Sequence, residues 1–279
     1  MTSPSNAVQH AYWNGPLGQA YARSQEKRDR DHSGITGPLM EWADARPGEH
    51  VLDIGCGAGT TTLTLARRVH GTGSVLGIDI SGPMIAIASR RAEAAQSTAR
   101  FIAADASEYP FERHAFDLGF SQLGVMFFAD PLAAFRNIRR GLKGRGRIAF
   151  ACWRSPAEHL WASVPESAAA PFLPPSLPAD ANAPGRYSLR EPDRIRQVLT
   201  GAGFHAVEIL KQDARTFLGS TPEEAAASAI EGSLQRMLAG ADEVVQKKMQ
   251  DAVAARLAQE MAPDGIFLTC AAWLVRASS

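Results

Sequence analysis

The residues best suited to chemistry lie in a glycine-rich run at residues 51–60, where Gly55, Gly57 and Gly59 alternate directly after a short apolar segment. Glycines at such a turn allow the backbone to approach a ligand closely. A dinucleotide site prefers a further glycine at the position of Thr60, where a helix N-terminus meets a pyrophosphate. The G-x-G-x-G spacing therefore indicates a ligand that has no phosphate at this turn.

Two carboxylates follow at similar intervals along the chain. Asp79 lies 24 residues beyond Gly55, and Asp105 lies another 26 residues on, each at the end of a predicted strand. Doubly wound sheets bind ligands at the carboxyl ends of their strands, so these residues are expected to share one site.

Strands and helices alternate around these positions. Strands are predicted at 50–54, 74–80, 99–103, 115–120 and 146–153, and helices at 60–69, 83–95 and 131–142. A helix at 191–202 is followed by a strand near Val207, with which a final strand at 267–275 is expected to pair. We therefore predict an α/β fold with a doubly wound, mostly parallel seven-stranded sheet whose last strand is antiparallel.

The glycine-rich run resembles the first motif of the class I S-adenosylmethionine-dependent methyltransferases, and the likeness extends from about residue 48 to residue 152. The resemblance implies a Rossmann-like fold that binds S-adenosylmethionine and leaves S-adenosylhomocysteine as product. It also implies that Asp53 supports the loop and the ammonium group of the ligand. Gly55, Cys56 and Gly57 would line the methionine part of the ligand, and Gly59 would complete the loop.

The same resemblance assigns the ends of the next three strands. Asp79 matches the residue that receives both ribose hydroxyls, and Asp105 matches the acceptor for the adenine amino group. The residues expected beside these groups, or beside the sulfonium after the fourth strand, are Ile80, Met84, Ala104, Ala106, Ser121 and Gln122. Met84 would pack on the adenine, and the backbone N–H of Ala106 would donate to its ring.

The end of the fourth strand also separates this chain from two subclasses. Enzymes that methylate planar amide or exocyclic amine nitrogens have Asn or Asp followed by Pro-Pro and an aromatic residue there, and this run is absent. The metal-assisted catechol type has an acidic ligand where this chain has Ser121, so no metal is predicted. Cys152-Trp153, followed by a proline-rich passage to Trp161, resembles a bacterial branch related to the ubiquinone and menaquinone methyltransferases.

The rest of the chain is expected to surround this core. We predict an N-terminal helical cap at 1–45, the S-adenosylmethionine-binding core at 46–153, an irregular proline-rich lid at 154–188, and the remaining core at 189–279. The last part would contain a helical insertion at 221–262. The Ala, Leu, Phe and Trp content of these segments indicates an apolar acceptor pocket.

Composition limits the partners and the location. The 29 basic and 29 acidic residues give zero formal net charge, which argues against nucleic acid as a partner. No apolar window is long enough to span a membrane, and the N-terminus has no signal-peptide core, so a cytoplasmic protein is expected. Cys56, Cys152 and Cys270 predict buried free thiols rather than disulfides or a zinc site. Oligomeric state is not encoded in any of these features.

The residue types that could act as a general base are scattered. The candidates are His10, Tyr21, His32 and His159, and ordinary packing explains each of them as well. Tyr21 is also the candidate for binding the carboxylate of the ligand. The sequence thus predicts in-line methyl transfer, dominated by positioning, to a small and fairly hydrophobic acceptor, with O- or C-methylation favoured. The alternatives are a non-catalytic binding module and a nicotinamide-dependent oxidoreductase.

Overall fold

The chain is described by a computed structural model that covers residues 6–172, 183–235, 237 and 241–279. Its strands differ in burial, from a buried run at residues 51–54 to an exposed or half-buried one at residues 205–215. They are β1 (His50–Ile54), β2 (Ser74–Asp79), β3 (Arg100–Ala103), β4 (Phe116–Gln122), β5 (Leu142–Trp153), β6 (His205–Gly219), β7 (Met261–Ala262) and β8 (Gly265–Ser278).

Within the described residues these strands form one eight-stranded sheet in the order β3-β2-β1-β4-β5-β8-β6, and β7 pairs with β8. The pairs among β1 to β5 are parallel, whereas β8 runs antiparallel to both β5 and β6. The predicted α/β class with an antiparallel last strand is confirmed. The two-residue β7 was not predicted, because so short a hairpin strand has no detectable apolar period.

Helices follow the strands and extend over the N-terminal region. They are α1 (Ala7–Asn14), α2 (Pro16–Arg23), α3 (Gln25–Asp31), α4 (Ser33–Ala43), α5 (Thr60–Arg68), α6 (Gly82–Ala94), α7 (Pro131–Gly141), α8 (Leu160–Ala169), α9 (Pro192–Gly201), α10 (Pro222–Glu231) and α11 (Glu243–Leu257). The beginning of helix α7 is an example of how the sequence starts a helix. The Asp130 side chain accepts a hydrogen bond from the Ala133 N–H at 2.9 Å, and Pro131, in the first turn, has no N–H that would be left unpaired.

One sequence expectation for the second half of the chain needs correction. The proline-rich stretch was expected to be irregular, but α8 lies within it and contains Pro165. The apolar residues Trp161, Ala162 and Ala169 bury one face of this helix, and that packing outweighs the poor helix propensity of proline. Residues 173–182 of the expected lid lie outside the described part of the chain.

A helical insertion is expected at residues 221–262. The structure has two helices there, α10 and α11, both of which contact α8. Gly232 follows α10, and an added Cβ at this glycine would lie 3.0 Å from the Trp161 ring. The three helices therefore pack together beside the sheet.

The core lies where both faces of the sheet are covered, and Val51 to Ile54 are buried without alternation. Phe120, Phe135 and Phe150 are fully buried, and the rings of Phe135 and Phe150 have centroids 5.6 Å apart. Truncating one such side chain to Ala typically costs about 3 to 5 kcal/mol. The sheet is therefore a rigid support for the loops at its carboxyl edge.

Strand register brings these loops together. Ile54 pairs with Ile78 and Asp79 pairs with Ala103, so the loops after β1, β2 and β3 leave the sheet side by side. Strands β2 and β4 lie on opposite sides of β1, which makes the end of β1 the topological switch point of the sheet. Ligands of doubly wound folds bind in the crevice at this point.

Candidate active site

The carboxyl edge of the sheet opens into a cavity of about 250 Å³. One wall is the glycine loop after β1, in which Gly55, Gly57 and Gly59 have φ angles of +65°, +54° and +82°. A Cβ at Gly55 would lie 2.8 Å from Cα of Gly124, so the loops after β1 and β4 approach too closely for any side chain. A Cβ at Gly57 would meet no protein atom within 4 Å.

The Asp79 carboxylate lies at the end of β2 and lines this cavity. One oxygen accepts the Gly57 N–H at 2.8 Å, and the other accepts the Ser81 N–H at 2.8 Å. Each oxygen keeps one acceptor position, which matches two vicinal hydroxyl donors. Burial raises the pKa of Asp79, while the two backbone N–H groups oppose that rise.

The Asp105 carboxylate, two residues beyond β3, also lines the cavity. Its Oδ1 accepts from the backbone N–H of Ser107 at 2.9 Å and from the hydroxyl of Ser107 at 2.7 Å, and its Oδ2 accepts from the Asn6 side chain. The Asn6 amide also donates to the Ser107 hydroxyl and accepts from the Ala129 N–H. One acceptor position on Oδ2 is left for a donor such as an exocyclic amine.

Helix α1 spans the ends of β2 and β3. Asn6 fixes its beginning at Asp105, and Asn14 fixes its end, donating to the Ile80 carbonyl at 3.0 Å and accepting from the Gly82 N–H at 2.9 Å. Trp13 lines the cavity between these two anchors. Its ring stands perpendicular to the Tyr21 ring, with centroids 5.2 Å apart.

Asp53, Gly59 and Ser121 do not line the cavity. The Asp53 carboxylate is fully buried and accepts from the hydroxyls of Thr61 at 2.7 Å and Thr62 at 2.6 Å. Burial raises its pKa to about 6, although both hydroxyls act to lower it. The proposed contact of Asp53 with a ligand ammonium is therefore not direct in this arrangement, and Asp53 acts by joining β1 to α5.

Gly59 and Ser121 likewise act inside the protein. An added Cβ at Gly59 would lie 2.9 Å from the Phe101 ring, so this glycine allows α5 to pack closely. The hydroxyl of Ser121 donates to the Ile54 carbonyl at 2.7 Å, and the next residue, Gln122, lines the cavity. The buried Oε1 of Gln122 has no hydrogen-bond partner among the described residues, which leaves it free to accept from a ligand.

The other residues expected from sequence at the cofactor site line the cavity. They are Tyr21, Gly55, Cys56, Gly57, Asp79, Ile80, Met84, Ala104, Asp105 and Ala106. The three cysteines are buried free thiols, as predicted, and burial raises the pKa of each. In the described ranges no group of three or more His, Cys, Asp and Glu side chains is arranged to hold a metal ion.

The four candidate bases have different surroundings. Tyr21 and His32 line the cavity, whereas the described cavity lining does not include His10 or His159. His10 is exposed on α1, and His159 is buried against Trp153, with ring centroids 4.2 Å apart. Burial, with nearby cationic groups, lowers the pKa of His32 to about 3 and that of His159 to about 2. Both imidazoles are therefore neutral and weakly basic.

A second part of the cavity, which we call the aromatic half, is formed by His32, Trp153 and Trp161 together with Arg28 and Arg186. The His32 ring centroid lies 5.4 Å from that of Trp153 and 6.1 Å from that of Trp161. Sequence reasoning assigned neither arginine to the site. Arg186 belongs to the segment expected to be irregular, and no local pattern marks it as a residue that faces the sheet.

Residues 51–146 match the methyltransferase domain family. The chain is 34% identical over 119 residues to a 2-phytyl-1,4-naphthoquinone methyltransferase of Trichormus variabilis, covering 42% of this chain and 52% of that protein. It is 30% identical over 184 residues to the nocamycin O-methyltransferase of Saccharothrix syringae, covering 63% and 66%. It thus spans about half the length of the first relative and just under two thirds of the second.

Solved structures agree on the fold. The YcgJ protein of Bacillus subtilis superposes with a TM-score of 0.59 at 19% identity, covering 89% of this chain and 98% of that one. Geranyl diphosphate C-methyltransferase of Streptomyces coelicolor gives a TM-score of 0.53 at 18% identity, covering 88% and 75%. The glycine loop and the strand-end aspartates agree with the family match, so residues 51–146 resemble the methyltransferase domain of the class I S-adenosylmethionine-dependent enzymes, and a quinone methyltransferase is among the relatives.

Proposed function

We propose that this chain binds S-adenosylmethionine and transfers its methyl group to a small, fairly hydrophobic acceptor. One observation carries the proposal: the glycine loop, Asp79 and Asp105 share a single cavity with the aromatic half. Cofactor and acceptor can therefore meet in one space.

The open hydrogen-bond positions fit this cofactor. Asp79 has one free acceptor position on each oxygen, which suits the two ribose hydroxyls, and Asp105 has one on Oδ2, which suits the adenine amino group. The unpartnered Oε1 of Gln122 suits an ammonium group. Met84 would contact the adenine, and Gly55, Cys56 and Gly57 would contact the methionine part.

When bound, the cofactor supplies a methyl group on a sulfonium, which is already an activated electrophile. The protein has to orient the acceptor in line with that bond and keep water away. The aromatic half serves the second purpose, because Trp153 and Trp161 are both largely buried at its wall. We favour O- or C-methylation, consistent with the O-methyltransferase and quinone methyltransferase names among the relatives.

The proposal is tested by calorimetric titration with S-adenosylmethionine and S-adenosylhomocysteine, followed by transfer assays with radiolabelled cofactor. Reduced 1,4-naphthoquinone, simple phenols and 1,3-diketones are suitable first acceptors. We expect saturable binding of both cofactor forms and transfer to at least one planar acceptor. Failure to bind either form would overturn the proposal, and binding without any transfer would favour a non-catalytic module.

Within the described residues, no helix is long and apolar enough to cross a membrane. The neutral net charge supports a small molecule rather than a nucleic acid as the acceptor.

A further inference from the structure

Among the described residues, the charged side chains in and beside the aromatic half are paired, with the exception of Arg28. Arg186 donates to the Glu166 carboxylate at 2.6 Å. Asp29 accepts from the Thr60 hydroxyl and from Gln25, both at 2.6 Å, and lies 3.6 Å from Arg91. Each of these charges has an opposite charge beside it.

Arg28 is the exception, because among the described residues no carboxylate forms an ion pair with it, and Asp29 and Asp31 act on its charge only from a greater distance. Its Nη1 donates to the uncharged hydroxyl of Ser24 at 2.9 Å, and its buried Nη2 has no hydrogen-bond partner in the described part of the chain. The nearby Asp31 is occupied by Lys27, at 2.7 Å. An unpaired guanidinium removed from water destabilises a fold, because burial penalises its charge and leaves its donors unsatisfied.

The guanidinium is also held in a fixed orientation. It lies over the Tyr21 ring, 4.0 Å from the centroid, and both residues line the cavity. A cation stacked on an aromatic face keeps its edge N–H donors available to a planar anion. The Arg28 guanidinium is therefore oriented to bind an anion that enters the cavity.

We propose that the acceptor is a planar aromatic molecule that carries a carboxylate, and that Arg28 binds this carboxylate while the ring lies in the aromatic half. The inference rests on the proposed function, because it names the class of molecule that shares the cavity with the cofactor. The positive charge of Arg186 also attracts an anion in this part of the cavity, and Arg186 keeps its ion pair with Glu166.

The chemistry of His32 is consistent with an acceptor that arrives ionised. Its pKa of about 3 makes it too weak a base to deprotonate a phenol efficiently near neutral pH. A carboxylate is already ionised in solution near neutral pH and needs no such base before it binds Arg28. Its neutral ring can instead pack against the acceptor beside Trp153.

The rival role for Arg28 is to bind the carboxylate of the cofactor beside Tyr21. The two roles make different predictions for an Arg28→Met variant, which keeps the length of the side chain and removes its charge. Arg30→Met is the matched control, because Arg30 is exposed on the same helix. Removal of a buried unpaired charge should also leave Arg28→Met at least as resistant to heat as the wild type.

The probes are 2-naphthoate and its uncharged isostere 2-naphthamide, titrated with and without saturating S-adenosylhomocysteine. We expect wild type and Arg30→Met to prefer the naphthoate by about tenfold or more, the size of one hydrogen bond between charged groups. Arg28→Met should lose this preference while its affinity for S-adenosylhomocysteine stays within about twofold of wild type.

Three outcomes would overturn the inference: equal affinity of wild type for the two probes, a preference that survives in Arg28→Met, or a matching loss of S-adenosylhomocysteine affinity in that variant. The last result would assign Arg28 to the cofactor. Failure of wild type to bind S-adenosylhomocysteine at all is a different result, since it contradicts the proposed function whether or not the naphthoate preference is present.

Discussion

The backbone N–H of Gly57 donates to the side-chain carboxylate of Asp79 at 2.8 Å, which joins the glycine loop after β1 to the end of β2. Asp79 therefore has two tasks, to fix the shape of the loop and to present its remaining acceptor positions to the cavity. A substitution at Asp79 should lower the affinity for the ligand more than the stability of the fold, because the hydrogen bond to Gly57 lies at the edge of the sheet and not in its core.

For Asp79→Ala we expect the affinity for S-adenosylhomocysteine to fall by roughly a hundredfold, because two charge-assisted hydrogen bonds are lost. The measurement is calorimetric titration. Asp251→Ala, which removes an exposed carboxylate on α11, is the control and should bind like wild type. Unchanged affinity in Asp79→Ala would remove this residue from the proposed cofactor site.

Gly57 and Gly71 form a matched pair, because both have left-handed φ angles, of +54° and +77°, and neither has a protein atom within 4 Å of an added Cβ. Substitution by Ala should destabilise the fold at either position by a similar amount, about 1 kcal/mol. Only Gly57 lines the cavity. We expect affinity for S-adenosylhomocysteine to fall by roughly tenfold or more in Gly57→Ala alone.

Thermal unfolding measures the strain common to the two glycine variants, and titration measures the part that is specific to the cavity. If Gly71→Ala lost affinity to the same extent as Gly57→Ala, the effect would be one of stability and not of the space beside the loop.

Local pattern was sufficient to predict the parts of the site that follow strands directly. Asp79 and Asp105 were placed correctly at the edge of the sheet because strand ends follow from apolar periodicity and the register of a parallel sheet is regular. The alternation of side chains along a strand explains why Ser121 lies outside the cavity lining. Its hydroxyl faces the Ile54 carbonyl, whereas Gln122, one position later, faces the cavity.

The aromatic half was not predictable in this way. Arg28 and His32 are close in the chain, but Trp161 and Arg186 come from segments far from them, and tertiary packing brings all four to one cavity. Hydrophobic periodicity predicts local secondary structure and does not predict which distant side chains meet. Asn6 is a similar case, because its three partners lie about 100 residues or more away along the chain.

Asp53 should make the stability of the protein depend on pH in a direction unusual for an aspartate. Its pKa in the folded protein, about 6, lies above the ordinary value of 3.8. The protonated form is therefore favoured by folding, and the contribution is fully present below the ordinary value and lost as pH rises through about 6. Asp53→Asn cannot ionise and should not show this loss.

Urea unfolding of wild type and Asp53→Asn at about pH 4 and about pH 8 tests this directly. Relative to wild type, we expect the variant to gain on the order of 2 kcal/mol in free energy of unfolding between the two conditions. Differences caused by other groups cancel in the comparison. A relative gain on going to the lower pH would reverse the sign and contradict the assigned environment.

Asn6 holds the beginning of α1 against the residues that would surround the adenine. It bonds to Asp105, to the Ser107 hydroxyl at 3.0 Å and to the Ala129 N–H at 3.3 Å, so its replacement by Ala removes three contacts that fasten this end of the helix. The Asn14 anchor at the other end stays in place. Helix α1 should then open more often about its fixed end, and bound S-adenosylhomocysteine should leave roughly tenfold faster.

Stopped-flow fluorescence can follow this release, because Trp13 lies on α1 and lines the cavity. His10→Ala changes an exposed side chain on the same helix and should release the ligand at the wild-type rate. Comparison of the two variants therefore separates the effect of the Asn6 contacts from the effect of any other substitution on α1. Equal release rates in Asn6→Ala and His10→Ala would mean that the contacts of Asn6 do not hold α1 closed, and that the ligand leaves the cavity by another route.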